Sequence, residues 1–238
     1  MNRDGRALPL VSCIMPTCDR RLFVPQAVRY FLSQDYPRRE LLILDDGRES
    51  VRDLVPDDPR VRYLREERKS PVGTKRNLLC EEARGEVIVH WDDDDWMAPW
   101  RLSYQVERLL DSAADLCGLE RLLFYDIAAG RSWQYVYPRR RPSWVAGGTL
   151  CYTNSFWRSH RFSDLGSGED TQFVWNGGPK RLAVLEDFGF YVAMIHAGNT
   201  CRKLLADPPY KPHPAEATRE LLGRDRWFYE GLARRRGA

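Results

Sequence analysis

The stretch Val87-Ile88-Val89-His90-Trp91-Asp92-Asp93-Asp94-Asp95-Trp96-Met97-Ala98-Pro99 decides how the chain is interpreted. Its β-branched first half is typical of a buried strand, and the aspartates follow directly where that strand ends. Neighbouring carboxylates about 4 Å apart repel by roughly 1 kcal/mol in water, and by several times that at a partly buried site. A bound Mg²⁺ or Mn²⁺ would relieve this repulsion, because both ions accept carboxylate oxygens as ligands. A solvated acidic loop is the alternative, which the flanking tryptophans disfavour.

Strands and helices alternate through the first part of the chain. Apolar runs predict strands at residues 10–15, 41–44, 61–64 and 87–91, the first of them stopped by Pro16, and helices at about 24–34 and 72–84. This alternation is typical of a parallel sheet, whose strands share one carboxyl edge where ligands bind. Asp45-Asp46-Gly47 ends the second strand. Two separate acidic segments are therefore expected at one site.

The pattern of predicted elements changes after a predicted helix near residues 99–113. Strands are predicted at 122–125, 133–137, 149–152, 182–185 and 190–195, which indicates a more mixed sheet. A short helix is expected to open at Glu169-Asp170 and to end at Gly177-Gly178. Beyond a proline-rich stretch, one helix from about Ala215 has an apolar stripe, and we expect it to pack against the domain.

Composition limits the classes of function. The net charge of +3 is too small to indicate a nucleic-acid partner, and the runs at 139–141 and 234–236 are expected to be solvated surface. The six cysteines contain no Cys-x-x-Cys pair, so a zinc site is not supported. Neither a signal peptide nor an apolar run long enough to span a membrane is visible, which predicts a cytoplasmic protein and leaves peripheral membrane contact open.

The position of the glycines constrains how a nucleotide would be bound. No glycine occurs between Gly5 and Gly47, so the first strand-to-helix turn lacks both the dinucleotide fingerprint and the P-loop. A nucleotide at this edge would therefore be held by side chains. Asp46 is suited to base or ribose donors, and Arg76 to the base or the diphosphate. The missing glycine-rich loop also weakens the interpretation as a nucleotidyltransferase.

The chain resembles the inverting family 2 glycosyltransferases of the GT-A fold over about residues 10–200. The resemblance rests on segments that occur in the family's order, and these are VSCIMPT at 11–17, LILDDG at 42–47, KRN at 75–77 with ARGE at 83–86, DDDDWMAP at 92–99 and GEDTQF at 168–173. It implies an α/β, Rossmann-like, mostly parallel central sheet flanked by helices. A smaller mixed sheet on the acceptor side and a C-terminal helical extension would complete the fold.

The same resemblance implies a division of the chain and a set of site residues. Residues 1–205 would form the glycosyltransferase domain, with a nucleotide-binding half at 10–98 and an acceptor and catalytic half at 99–205, followed by an extension at 206–238. The donor-binding residues would be Pro16, Thr17, Asp19, Asp46, Arg76, Asp92 and Asp93. Asp94 would contact the metal and Asp170 would be the catalytic base, although Glu169-Asp170 could also serve only to cap a helix.

Three further residues are expected near the sugars, namely Trp96, Gly148 and Glu169, and tryptophan is equally suited to the core. His196 ends a predicted strand, where it would complete the metal shell, contact the diphosphate or be a hydrogen-bonded structural residue.

The expected function is transfer of a sugar from a nucleotide-diphosphate sugar, with UDP favoured, to an unidentified acceptor, with Mn²⁺ or Mg²⁺ as cofactor. A sugar nucleotidyltransferase and a non-catalytic nucleotide-sugar binding module are the alternatives. The sequence does not identify the sugar, the acceptor or the oligomeric state.

Overall fold

The computed structural model describes residues 7–138, 142–176, 180–201, 203, 205–206 and 208–236, so the arginine run at 139–141 and the glycine pair at 177–178 lie outside the described residues. The strands are β1 (Val11–Thr17), β2 (Arg39–Asp45), β3 (Val61–Arg65), β4 (Val87–His90), β5 (Trp96–Met97), β6 (Leu116–Gly118), β7 (Arg121–Asp126), β8 (Arg131–Val136), β9 (Cys151–Thr153), β10 (Leu182–Val184), β11 (Tyr191–Ile195) and β12 (Tyr210–His213). The helices are α1 (Val24–Leu32), α2 (Val72–Glu82), α3 (Arg101–Asp111), α4 (Asn154–Ser159), α5 (Glu169–Trp175), α6 (Ala215–Leu222) and α7 (Arg226–Arg236).

The strands form two sheets. The larger has the order β10-β6-β9-β4-β1-β2-β3, and all its pairings are parallel except those of β9. The smaller has the order β12-β8-β7-β11-β5 and mixes parallel with antiparallel pairs. The expected α/β fold, with a mostly parallel central sheet and a smaller mixed sheet, is confirmed.

The two faces of the central sheet belong to different cores. Cys13 and Met15 of β1 lie in the core that also contains α1 and α3, whereas Ile14 lies in the core that contains α2, α4 and α5. This follows from the strand period of two, which sends neighbouring side chains to opposite faces. Strands buried on both faces are therefore continuously apolar, as the sequence pattern indicates.

The prediction that Pro16 stops the first strand is wrong, because β1 continues through it to Thr17. The carbonyl of Ile14 accepts a hydrogen bond from the amide of Trp91, so this side of β1 faces β4. Pro16 lies two residues later and faces the same side, but pairing with β4 has ended at Ile14. The N–H that proline lacks therefore costs no ladder bond.

The C-terminal segment also differs from the expected single helix. The chain breaks at Gly223, whose φ is +55°, a value that favours glycine, and α6 and α7 result. Strand β12 joins the smaller sheet beside β8, and Leu222, Tyr229 and Leu232 are buried. The extension thus packs against the rest of the fold. No helix within the described part of the chain has the length and apolarity to cross a membrane.

The packing of α7 predicts a contrast between two of its aromatic residues. Tyr229 is 1% exposed and Trp227 is 57% exposed. Replacement of a buried aromatic residue by alanine costs about 3 kcal/mol or more because a cavity remains. We expect Tyr229→Ala to lower the free energy of unfolding by about that amount in urea denaturation, and Trp227→Ala to change it by about 0.5 kcal/mol or less. Equal effects would mean that α7 does not pack as described.

Candidate active site

The carboxyl ends of the central strands open onto a cleft of about 460 Å³. Because β1, β2 and β4 are parallel, the turns that follow them lie at the same edge of the sheet. Helix α5 and the 3₁₀ turn Gly147–Thr149 form the facing side. The cleft residues that matter chemically are Pro16, Arg20, Arg76, Asp92, Asp93, Asp94, Asp95, Gly147, Gly148, Glu169, Asp170, Tyr191 and Asn199.

The carboxylate of Asp46 is held by donors from the start of α2. Lys75 Nζ lies 2.8 Å from Asp46 Oδ1, and the amide of Ser70 donates to Asp46 Oδ2 at 2.9 Å. Burial opposes ionisation of Asp46, but these donors outweigh it and lower its pKa. Lys75 also donates to the carbonyl of Thr17, whose hydroxyl donates to Asp93. This chain of contacts connects the two acidic segments, as the parallel sheet requires.

Each of the consecutive aspartates has its own partners. Asp92 lies 3.5 Å from Arg76 Nη2, and Asp93 accepts from Thr17 Oγ1 at 2.5 Å. Asp94 pairs with Arg20 at 3.0 Å, and Asp95 accepts from the amide of Met194 at 2.7 Å and from the Tyr191 hydroxyl. Each of the four aspartates therefore has a different protein donor.

The partners and the burial set the charge on each carboxyl group. Burial, reinforced by the Asp94 charge, raises the pKa of Asp93 to about 7. Burial also raises the pKa of Asp95 well above its usual range. Burial disfavours the charged form of Asp94 as well, but the His196 hydrogen bond and the Arg20 charge reverse that and lower its pKa. Protein donors and bound protons therefore relieve part of the repulsion for which the sequence analysis expects a bound cation.

Arg76 joins the acidic run to the start of α5. Its guanidinium lies 3.0 Å from Glu169 Oε1 and 3.5 Å from Asp92 Oδ1, and its side chain is 7% exposed. Burial raises the pKa of Glu169 while the Arg76 charge opposes this effect. Arg76 therefore lies between Asp92 and Glu169, and Lys75 is the basic residue that contacts Asp46. Asp170, one residue after Glu169, is brought to the cleft by this bridge.

Two glycines allow side chains of the cleft to lie directly against the backbone. A Cβ at Gly147 would overlap the Asp170 carboxylate, and one at Gly148 would overlap the Tyr191 hydroxyl and approach Asp92. The fully buried Arg101 fixes the turn that carries these glycines. Its guanidinium donates to the carbonyl of Gly148 at 2.8 Å and lies over the rings of Trp91 and Tyr191. Any larger residue at either glycine would displace a cleft carboxylate.

Asp94 and His196 are the candidate ligands for a divalent cation. No three His, Cys, Asp or Glu side chains converge on one point among the residues that the structure describes. Asp94 Oδ2 and His196 Nε2, however, lie 2.9 Å apart in a hydrogen bond. Carboxylate oxygen and imidazole nitrogen both bind divalent cations, so this pair would supply two ligands once the hydrogen bond between them opens. Such ions usually take their other ligands from water and substrate phosphates.

The remaining predicted residues lie in several places. Asp19 turns away from the cleft, accepts from the amide of Arg48 at 2.8 Å and lines a neighbouring groove of about 440 Å³. Trp96 is 5% exposed, its indole donates to Asp225 of the C-terminal extension at 3.0 Å, and it does not line the cleft. Phe23 stacks on the His196 ring at 4.6 Å and contacts Phe228 of α7.

Several cleft residues were not predicted as site residues. Arg20, Tyr191 and Asn199 line the cleft, whereas Lys75 and Arg101 lie behind its lining, where they contact Asp46 and the carbonyl of Gly148. Lys75 precedes a predicted residue, and its position in the first turns of α2 could have indicated it. No sequence signal marks the others, because each meets its partner only in the folded chain.

Comparison with known proteins agrees with this geometry. The sequence model of glycosyl transferase family 2 matches residues 12–164 of this chain. A putative colanic acid biosynthesis glycosyl transferase, WcaA of Escherichia coli K12, is 37% identical over 100 residues, which is 40% of this chain and 36% of that protein. A Campylobacter jejuni GalNAc(5)-diNAcBac-PP-undecaprenol beta-1,3-glucosyltransferase is 29% identical over 118 residues, 47% of this chain and 38% of that protein. The matched parts thus span well under half of these relatives.

Solved structures share the fold. S. aureus TarS 1-349 in complex with UDP-GlcNAc has a TM-score of 0.64 and 19% identity, over 80% of this chain and 60% of that one. The Pyrobaculum calidifontis mannosyltransferase PcManGT in complex with GDP-Man and Mn²⁺ has a TM-score of 0.59 and 17% identity, over 79% of this chain and 57% of that one. The fold is therefore the GT-A fold of these glycosyltransferases.

The raised pKa of Asp93 predicts a pH-dependent effect on stability. Because the folded protein holds this proton to about pH 7 and the unfolded chain releases it near pH 3.8, stability falls as pH rises between these values and then levels. Relative to wild type, Asp93→Asn should gain stability across this window, at no more than about 1.4 kcal/mol per pH unit. Urea denaturation in EDTA between pH 4 and pH 8 measures the difference.

Asp57→Asn, which removes an exposed carboxyl group, is the matched control for the loss of one charge. A difference between wild type and Asp93→Asn that stays constant with pH would contradict the protonated state of Asp93.

Proposed function

The chain belongs to glycosyl transferase family 2, and from this premise we propose that it transfers a sugar, with inversion, from a nucleoside-diphosphate sugar to an acceptor hydroxyl. The observation that carries the proposal is that Asp170 and the Asp92–Asp95 run line one cleft and are joined through Arg76 and Glu169. A base and a diphosphate site are the two parts that such a transfer needs, and they belong on opposite sides of the anomeric carbon.

The donor nucleotide is proposed to bind at the carboxyl ends of β1 and β2. Asp46 would accept from the base, Thr17 and Asp93 would contact the ribose, and Pro16 and Asp92 would face the rest of the donor. We favour UDP as the nucleotide by resemblance to the family, and the UDP-GlcNAc complex of TarS supports this choice. Asp46 is already paired with Lys75, so a base would share this carboxylate or displace the lysine.

The chemical step is proposed to rest on Asp170. Its carboxylate lies against Gly147, where a side chain would overlap it, and it lines the same cleft as the Asp92–Asp95 run. As the acceptor oxygen bonds to the anomeric carbon, Asp170 would take its proton while the bond to the diphosphate breaks. Gly148 and Glu169 would lie on the same side, where Glu169 keeps Arg76 in position. Positive charge from Arg76 would face the departing diphosphate.

A Mn²⁺ or Mg²⁺ ion is proposed to be held by Asp94 and His196. When bound, it would neutralise charge on the departing diphosphate. The Mn²⁺ in the PcManGT complex supports a divalent cation here.

The proposal also includes a division of the chain and a location in the cell. The chain would consist of a nucleotide-binding half at 10–98, an acceptor half at 99–205 and an extension at 206–238, and the protein would be cytoplasmic. Because the acceptor side has no assignable motif, the acceptor stays unidentified.

Asp170→Asn tests the proposed base. The substitution keeps the shape of the side chain but removes its ability to take a proton, so transfer should slow by about 10²- to 10⁴-fold. Donor affinity, measured by calorimetry with UDP-sugars, should stay within about threefold of wild type. Asp170 is proposed to act only in the transition state, so its replacement leaves binding of the donor unchanged. Turnover is measured as release of the nucleoside diphosphate and as transfer to a panel of hydroxyl acceptors. Asp187→Asn is the control, because Asp187 is an exposed carboxyl group outside the cleft that accepts from the amide of Gly189.

Three results would contradict the proposal. Unchanged turnover in Asp170→Asn would remove this residue from the role of base. Release of pyrophosphate in place of a nucleoside diphosphate would indicate a nucleotidyltransferase, and donor binding without any turnover would indicate a binding module.

A further inference from the structure

Arg20 holds the two residues that are proposed to bind the cation. Its Nη1 atom lies 3.0 Å from Asp94 Oδ2 and 3.0 Å from His196 Nε2. The side chains of Arg20 and Asp94 are each 13% exposed, and that of His196 is 2% exposed. The guanidinium therefore contacts both of the atoms that would hold the cation. The positive charge of Arg20 therefore lies between this pair and the cleft.

His196 Nε2 contacts both members of this cluster, at 2.9 Å from Asp94 Oδ2 and 3.0 Å from Arg20 Nη1. The other ring nitrogen, Nδ1, lies 3.2 Å from the amide of Gly198. A cation at this pair would need the Nε2 atom and the Asp94 oxygen that Arg20 contacts. Binding of a cation would therefore require the departure of Arg20.

We propose that Arg20 and a divalent cation compete for the Asp94–His196 pair, and that the diphosphate of the donor opens the pair by taking the guanidinium. This inference rests on the proposed function. Arg20 lines the same cleft as the aspartates, so its guanidinium reaches a bound diphosphate without leaving the site. Arginine binds phosphate oxygens through paired, charge-assisted hydrogen bonds, which replace those it loses at Asp94.

The competition follows from charge and from space. A guanidinium and a dication at one carboxylate oxygen of a buried site repel each other, so each weakens the binding of the other. Asn199 Nδ2 also lies 3.4 Å from Asp94 Oδ2, so this oxygen is surrounded by donors in the closed state. A diphosphate removes the competitor and adds oxygen ligands for the ion. Nucleotide and metal should therefore bind with positive coupling, and the coupling must be reciprocal.

The experiment measures Mn²⁺ affinity with and without UDP, by electron paramagnetic resonance of free Mn²⁺, for wild type and Arg20→Met. In wild type, UDP should raise Mn²⁺ affinity by about 5- to 150-fold. Without UDP, Arg20→Met should bind Mn²⁺ at least about tenfold more tightly than wild type, because the closed state no longer reduces the competent fraction. The gain from UDP should shrink accordingly in the variant. Arg20→Gln repeats the comparison if Arg20→Met fails to fold.

Arg21→Met is the matched control, because the neighbouring Arg21 pairs with Asp53 on the protein surface. It should have the Mn²⁺ affinity and the UDP coupling of wild type. Equal UDP-free Mn²⁺ affinity in wild type and Arg20→Met, with unchanged coupling, would overturn the exchange and leave the proposed function standing. Absence of Mn²⁺ binding in every variant, even with saturating UDP, would overturn both the exchange and the proposed cation.

Discussion

Neutralisation of adjacent carboxyl groups at the end of β4 is the constraint on which the site depends. Four aspartates in sequence cannot share one environment, because each added charge raises the cost of ionising the next. The fold resolves this by sending each one to a different element: Asp92 to Arg76 of α2, Asp93 to Thr17 of β1, Asp94 to Arg20 and His196, and Asp95 to β11. The acidic run is thus the point where the central sheet, the smaller sheet and the cleft are joined.

These contacts fix two parts of the cleft in different ways. Asp95 and the buried Arg101 bind backbone groups and aromatic rings, so they position β11 and the glycine turn. Asp94 and Arg20 instead meet through side chains at the cleft surface, and this is the contact that a donor diphosphate would exchange in our proposal. The C-terminal extension contacts both parts, because Asp225 accepts from Trp96 next to Asp95 and Phe228 contacts the Phe23 ring that stacks on His196. Residues distant from the chemistry therefore bear on its geometry.

Much of this architecture could be predicted from the sequence, and the limits of that prediction have physical causes. The strands that end at Asp45 and just before the Asp92–Asp95 run are continuous apolar segments, so both the parallel sheet and the shared edge were predictable. Strands β5, β6 and β12 were not predicted, because β5 has two residues, β6 ends in glycine, and β12 is polar and contains Pro212. The pairing of Arg20 with Asp94 joins positions 74 residues apart in sequence. No local pattern reveals such a contact, because packing of β1 beside β4 creates it.

The most direct test of this view of the cleft is anomalous X-ray scattering at the manganese edge from crystals of the protein with UDP and Mn²⁺. The predicted result is one strong peak beside Asp94, with the diphosphate in the same cleft and the uracil near Asp46. An ordered nucleotide elsewhere on the protein, or a manganese peak remote from Asp94, would contradict it.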